Sequence, residues 1–215
     1  QAEAEHKNWN EEWEKNYFQP LIIGEDAEHP RCVIAATFHK DVPQGDYNIR
    51  INPQMSFGTG HHQTTAQMID RILTDDFNGK FVLDMGCGTG ILAILAKMRG
   101  ASQCVAVDYD EWCVNNTRDN IALNEISDVM VVHGDASALQ PLANTFDVII
   151  ANINRNILLQ DLDKYVASLR IGGTIYMSGF YTEDVLSLVE KGTMLGLSLV
   201  DVKQRDNWAC LKMSR

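Results

Sequence analysis

One stretch constrains this chain more than any other: FVLDMGCGTGILAILAKMRGASQCVAVD, residues 81–108. Phe81, Val82 and Leu83 read as a buried strand, the segment Asp84-Met85-Gly86-Cys87-Gly88-Thr89-Gly90 as a glycine-rich turn, and Ile91 to Arg99 as a helix with apolar residues at helical spacing. Gly100 stops that helix. A second strand, Cys104 to Val107, ends on Asp108, so a carboxylate follows the first glycines by about 20 residues. A strand, a glycine turn, a helix and a second strand closed by an acid make half of a nucleotide-binding site. Glycine lets backbone approach a ligand, and the acid can accept from both hydroxyls of a ribose.

Spacing decides which nucleotide. A dinucleotide fingerprint needs a small residue at the sixth position of GxGxxG, but counting from Gly86 that position is Ile91. The pattern is Gly86-x-Gly88-x-Gly90 with Asp84 two residues ahead. This D-x-G-x-G-x-G run resembles the first motif of Rossmann-like, class I S-adenosylmethionine-dependent methyltransferases. The glycines alone would equally suit an ordinary turn. The strand before, the helix after and Asp108 behind favour the cofactor.

The 215 residues are 45% hydrophobic and carry a formal charge of −11. One substantial core fits that length. The acidic balance disfavours direct nucleic-acid binding, which rests on Lys and Arg neutralising phosphates. It suits a basic protein partner, although acidity also serves solubility alone. No apolar run reaches the roughly 18 residues of a membrane span, and QAEAEHKNWN carries no signal-type segment, so a cytoplasmic protein is expected. Cys32, Cys87, Cys104, Cys113 and Cys210 form no CxxC pair, which predicts reduced thiols and no zinc.

Trp9, Trp13 and Tyr17, four apart, predict a helix over 8–19 with one aromatic stripe. Leu21 to Ile23, Cys32 to Ala35 and Tyr47 to Ile51 read as short strands. The run Asn52-Pro53-Gln54-Met55-Ser56-Phe57-Gly58-Thr59-Gly60-His61-His62-Gln63-Thr64-Thr65 gathers donors ahead of a helix over about 62–73, as a loop that closes on a ligand would. Two histidines without a third ligand do not predict a metal. Beyond Asp108, a helix is expected over 110–124, a strand over 129–132 leading to Asp135, and a strand over 146–150 leading to Asn152. Ligands sit at the carboxyl ends of strands in doubly wound sheets. Asp135 is thereby placed to accept from an adenine amino group, or else to serve as a turn aspartate, and Asn152 faces the reacting end of the cofactor. A helix over 156–168, a strand over 174–178, a helix over 182–191 and a hairpin, 198–203 with 208–213 around Arg205-Asp206-Asn207, complete the pattern. The expected fold is α/β: a Rossmann-like, seven-stranded, mostly parallel sheet with an antiparallel C-terminal hairpin, preceded by a small N-terminal helix and strands. Residues 1–52 are assigned to the N-terminal linker and 53–215 to the methyltransferase domain.

NPQMSFGTGHHQTT before the glycine turn and ANI after the fourth main strand together resemble the methyltransferase family that modifies the eleventh protein of the large ribosomal subunit. The similarity covers nearly the whole chain, Trp9 and Trp13 included. It implies S-adenosyl-L-methionine as cofactor, a large-subunit ribosomal protein as substrate and methylation of amino groups on a lysine side chain or the N-terminus. By that resemblance Thr65, Gly86, Asp108 and Asn152 fall on cofactor contacts and Phe57 on the active-site loop; with Gly88 of the turn and Asp135 at its strand end they make up the candidate cofactor site, and Asn152 is the candidate catalytic residue. The chain departs from the family at Asn52 and Gln54, usually Asp and Gly, and at Asn154-Arg155. No NPPY-type run, usual in enzymes methylating nucleobases and glutamine amides, is present. A methyltransferase of another protein or small molecule, or a cofactor-binding module without turnover, shares the cofactor half. The family carries a ferredoxin-like docking domain ahead of the aromatic helix, so these residues are expected to be its catalytic domain plus linker.

Overall fold

The computed structural model describes residues 19–53 and 62–215. The expected aromatic helix and the loop segment 54–61, Phe57 included, lie outside the described residues.

Three short strands come first: β1 (Leu21–Ile23), β2 (Cys32–Ala36) and β3 (Tyr47–Ile51). They form a small sheet, with β1 antiparallel and β3 parallel to β2. Helix α1 (His62–Thr74) leads into the main sheet. There β4 (Phe81–Met85), α2 (Ile91–Met98), β5 (Gln103–Asp108), α3 (Glu111–Leu123), β6 (Val129–His133) and β7 (Phe146–Asn152) follow one another. Then come α4 (Arg155–Ser168), β8 (Leu169–Tyr181), α5 (Val185–Met194), β9 (Ser198–Arg205) and β10 (Trp208–Ser214). The seven strands lie in the order β6-β5-β4-β7-β8-β10-β9, with β10 antiparallel to both neighbours. Strand order reverses between β4 and β7, which opens a crevice at their carboxyl ends.

Both faces of this sheet are covered, which is why Phe81 to Leu83 of β4 and Val148 to Ala151 of β7 read as continuous apolar runs. On one face Val82, Ala106, Val148, Ile150 and Tyr176 pack with α1, α2 and the small sheet; Ile34, Ile49 and Ile51 belong to the same cluster. On the other, Leu83, Val107, Ile149, Ala151 and Met177 pack with Leu158, Leu162 and Tyr165 of α4. The alternation is the period of two that a pleated strand imposes.

The expected architecture is present, with shifted boundaries. β8 begins at Leu169, five residues before the expected start at Thr174, because the C-terminus zips onto it: Gly172 N–H donates to the Arg215 carbonyl at 2.7 Å and Arg215 N–H to that of Gly173 at 2.9 Å. Gly172 and Gly173 argue locally against a strand, and this pairing outweighs them. The last helix starts at Val185 after a 3₁₀ turn over Thr182–Asp184. Arg205 belongs to β9, and Asp206 and Asn207, with φ of 50° and 68°, make the two-residue hairpin turn.

Candidate active site

Strand register aligns the predicted residues. His133 of β6 pairs with Asp108 of β5, Met85 of β4 with both Val107 and Ala151, and Asn152 of β7 with Ser178 of β8. One residue further, His133, Asp108, Gly86, Asn152 and Ser178 therefore form a single row across the carboxyl rim. The crevice between β4 and β7 opens where Gly86 meets Asn152.

The glycine turn is held from several sides. Gly86, Gly88 and Gly90 all have positive φ (72°, 56°, 83°). A Cβ on Gly86 would stand 3.0 Å from the Ile153 side chain, whereas one on Gly88 would meet nothing within 4 Å. The Gly86 and Cys87 N–H groups both donate to the Val107 carbonyl, at 2.8 and 3.0 Å, so these two amides are committed to β5. Gly88 N–H donates to Asp108 Oδ2 at 2.9 Å and Asp110 N–H to Asp108 Oδ1 at 3.0 Å. Each oxygen of the buried Asp108 thus keeps room for another donor, since a carboxylate has about four acceptor sites. Behind the turn, Asp84 is 1% exposed and accepts from Ala93 N–H at 3.2 Å. Burial pushes its carboxyl up to about 7, partly offset by that bond and reinforced by the charge of Asp108.

Three polar residues of α3 that the sequence pattern did not single out brace this turn and the chain ahead of it. Thr117 Oγ donates to the Gly88 carbonyl at 2.8 Å, Asn120 Nδ2 to the Thr89 carbonyl at 2.8 Å and Asn116 Nδ2 to the Asn52 carbonyl at 2.8 Å. All three are buried. Asn120 Oδ1 accepts from Asn52 N–H at 2.8 Å, so α3 ties the chain entering the 54–61 segment to the turn. The signal was present in VNNTRDN, where polar residues recur at i and i+4 on a helix that packs on a sheet.

Asn152 stands in the row, and its Oδ1 is buried without a hydrogen-bond partner among the described residues. Buried acceptors in native proteins are nearly always paired. Asn154, two residues on, caps α4 by accepting from Ile157 N–H at 3.1 Å, and Arg155 pairs with Asp184 at 3.4 Å. Asp135, exposed just beyond β6, caps a 3₁₀ turn through Oδ1, which accepts from Ser137 N–H at 2.8 Å. The Ser137 hydroxyl and N–H together hold its carboxyl below the usual range. Its turn role is therefore visible. Thr65 is buried near the start of α1, and Phe57 is not among the described residues. Tyr109, directly after Asp108, is 77% exposed and offers a ring at the same rim. All five cysteines are buried and none is in a disulfide. Among the described residues no His, Cys, Asp and Glu cluster suits a metal, and no helix is long and apolar enough to cross a membrane.

The rim thus carries unfilled acceptor capacity at Asp108 and at Asn152 Oδ1 among the described residues. Comparison with known proteins meets this geometry. A family model described as ribosomal protein L11 methyltransferase matches residues 1–215. Relatives of that name from Phocaeicola vulgatus and Bacteroides fragilis are 57% and 55% identical over 210 and 211 residues, 98% of this chain and 73% of theirs. The crystal structure of a ribosomal protein L11 methylase from Lactobacillus delbrueckii subsp. bulgaricus superposes with a TM-score of 0.79 at 25% identity, covering 92% of this chain and 99% of that one. M. jannaschii TYW2 in complex with AdoMet shares the fold alone, at TM-score 0.60 and 16% identity, over 85% of this chain and 94% of that one.

Proposed function

This chain belongs to the ribosomal protein L11 methyltransferase family, and we propose from that premise that it methylates amines of ribosomal protein L11, on lysine side chains or the N-terminus, with S-adenosylmethionine as donor. The observation that carries the reading is the buried, unpartnered Oδ1 of Asn152 beside the glycine turn. The rim fits the cofactor: Asp108 keeps an acceptor site on each oxygen for a pair of ribose hydroxyls, and the space above the Gly88 Cα is open. Tyr109 gives the adenine a ring face, Asp135 an acceptor for its amino group, and Thr65 lies toward the methionine end. When bound, S-adenosylmethionine supplies an electrophilic methyl on a positively charged sulfur.

What the protein must supply is a neutral amine, aimed. A lysine amine with pKa near 10.4 is neutral about once in 2,500 at pH 7, so the nucleophilic form costs roughly 4.6 kcal/mol. Orientation of two reactants can contribute about 7–11 kcal/mol, enough to offset that cost without a dedicated base. Asn152 Oδ1 accepts an N–H of the amine and directs its lone pair into the crevice. With S-adenosylmethionine held at Asp108 and the glycine turn, the amine nitrogen would take its methyl as the C–S bond breaks with its electrons left on sulfur. The alkylated ammonium then gives a proton to water. The acidic surface, −11 in formal charge, favours approach of a basic substrate.

Incubation with methyl-labelled S-adenosylmethionine and purified ribosomal proteins tests this. Label is expected in L11 and is expected to vanish when its amines are acetylated beforehand. Label in a different product would replace the substrate assignment, and cofactor binding without any label would reduce the chain to a binding module.

A further inference from the structure

Four buried side-chain polar atoms lack a partner among the described residues, Asn152 Oδ1, Gln67 Oε1, Arg71 Nε and the Tyr165 hydroxyl, and the first two are amide oxygens, which can only accept. Gln67, on α1, is 6% exposed; its Nε2 donates to the Trp208 carbonyl at 3.1 Å, while its Oε1 is buried with no partner among the described residues. The two side chains share one end of the sheet. The last residues of α1 lead to the start of β4, so its first turns lie toward the carboxyl rim. Trp208 opens β10, which runs antiparallel to β8 and so begins at that rim. Ser178 Oγ donates to the Ala209 carbonyl at 2.8 Å, and Ser178 is the register neighbour of Asn152. They also share one face: Asn152 follows Val148 and Ile150 at a spacing of two, and both belong to the cluster packed on α1.

A buried acceptor without a donor is costly, and two on one rim call for a ligand carrying two donors. A neutral primary amine has two N–H groups and one lone pair. We propose that Gln67 Oε1 and Asn152 Oδ1 each accept one N–H of the substrate amine, leaving its lone pair as the only free direction. This rests on the methyltransferase reading above and adds a selectivity: each transfer replaces an N–H by a methyl, so the neutral amine falls from two donors to one to none. The pair thus prefers an unmethylated amine, holds a monomethylated one by a single bond and gains no bond from a dimethylated one.

Steady-state methylation of L11 by the protein and its Gln67→Leu and Gln67→Glu variants tests the pairing, with mass spectrometry of each amine and calorimetry of S-adenosylhomocysteine. Gln67→Leu is expected to raise KM for unmethylated L11 about tenfold, the worth of one hydrogen bond to a neutral donor. Cofactor affinity should stay the same, and the variant should lose discrimination between unmethylated L11 and L11 with reductively dimethylated amines. Gln67→Glu, which keeps an acceptor but not the donor to Trp208, should stay near the original KM. Unchanged KM and discrimination in Gln67→Leu, or a Gln67→Glu as impaired as Gln67→Leu, would overturn the proposal. If Gln67→Leu does not fold, Gln67→Met takes its place, and the unsubstituted protein still decides: equal competition by dimethylated and unmethylated L11 sinks the idea. Failure of the unsubstituted protein to methylate L11 at all would instead defeat the functional reading.

Discussion

At the amino ends of β7 and β8, the Asp147 carboxylate accepts from Phe81 N–H at 2.9 Å and from Arg170 at 3.2 Å. Nearby, Asp75 accepts from the Tyr176 hydroxyl and from Lys212 Nζ at 2.9 Å. Burial raises the Asp75 carboxyl, but these donors outweigh it and hold the group below the usual range. At the carboxyl ends of the same region, Asn152 Oδ1 and Gln67 Oε1 have no donor among the described residues, and Asp108 keeps acceptor sites open. What differs is whether polar groups are saturated by the chain itself. Saturated carboxylates contribute stability; acceptors left bare are held for something that arrives from outside.

Substitutions at the two ends should therefore act on different quantities. Asp108→Ala removes two charged acceptor bonds of about 1.5–3 kcal/mol each, so cofactor affinity measured by calorimetry should fall on the order of 100- to 10,000-fold. An unchanged affinity would take Asp108 out of the site. Asn152→Ala leaves the cofactor cradle intact and should lower kcat about 100-fold, the effect of misaiming the amine, with cofactor affinity preserved. Loss of both together would mean that Asn152 holds the cofactor instead.

The buried Asp84 predicts a pH dependence. Its folded value, about 7, lies above the ordinary 3.8, so between these values the folded state keeps a proton that the unfolded chain has lost. The stability this contributes is present below pH 4 and lost as pH rises through about 7. Melting temperature should drop by several degrees over that window, less so in Asp84→Asn. A parallel drop in both would assign the effect elsewhere. Asp147→Asn, at the opposite end, should cost under about 1 kcal/mol, because the Arg170 side chain is 52% exposed and the Phe81 N–H keeps an acceptor. A large effect on turnover there would break the contrast between the two ends.

The glycine turn, Asp108 and Asn152 were legible because their spacing is local: strand, turn and helix follow one another within 28 residues, and a polar residue after an apolar strand marks its end. Gln67 and the α3 brace were not, for physical reasons. A polar residue on a helix reads as a solvated face until its cover is known, and Gln67 meets Trp208 across 141 residues of chain. Phe57 and the aromatic stripe, Trp9 with Trp13 and Tyr17, lie outside the described residues.

The position of β10 has a consequence in time. This strand is the last in sequence of the described elements, yet it lies inside the sheet, between β8 and β9. Chain leaving the ribosome up to Arg205 therefore has β8 and β9 with no hydrogen-bonding partner between them. The Arg71 clasp on Asp201 and the Cys210 carbonyl also waits on β10, because Asp201 takes its place by pairing with Lys212. Sheet closure must then follow synthesis of residues 208–214, and the open edge of β8 is the surface that nascent chains have to protect until that moment.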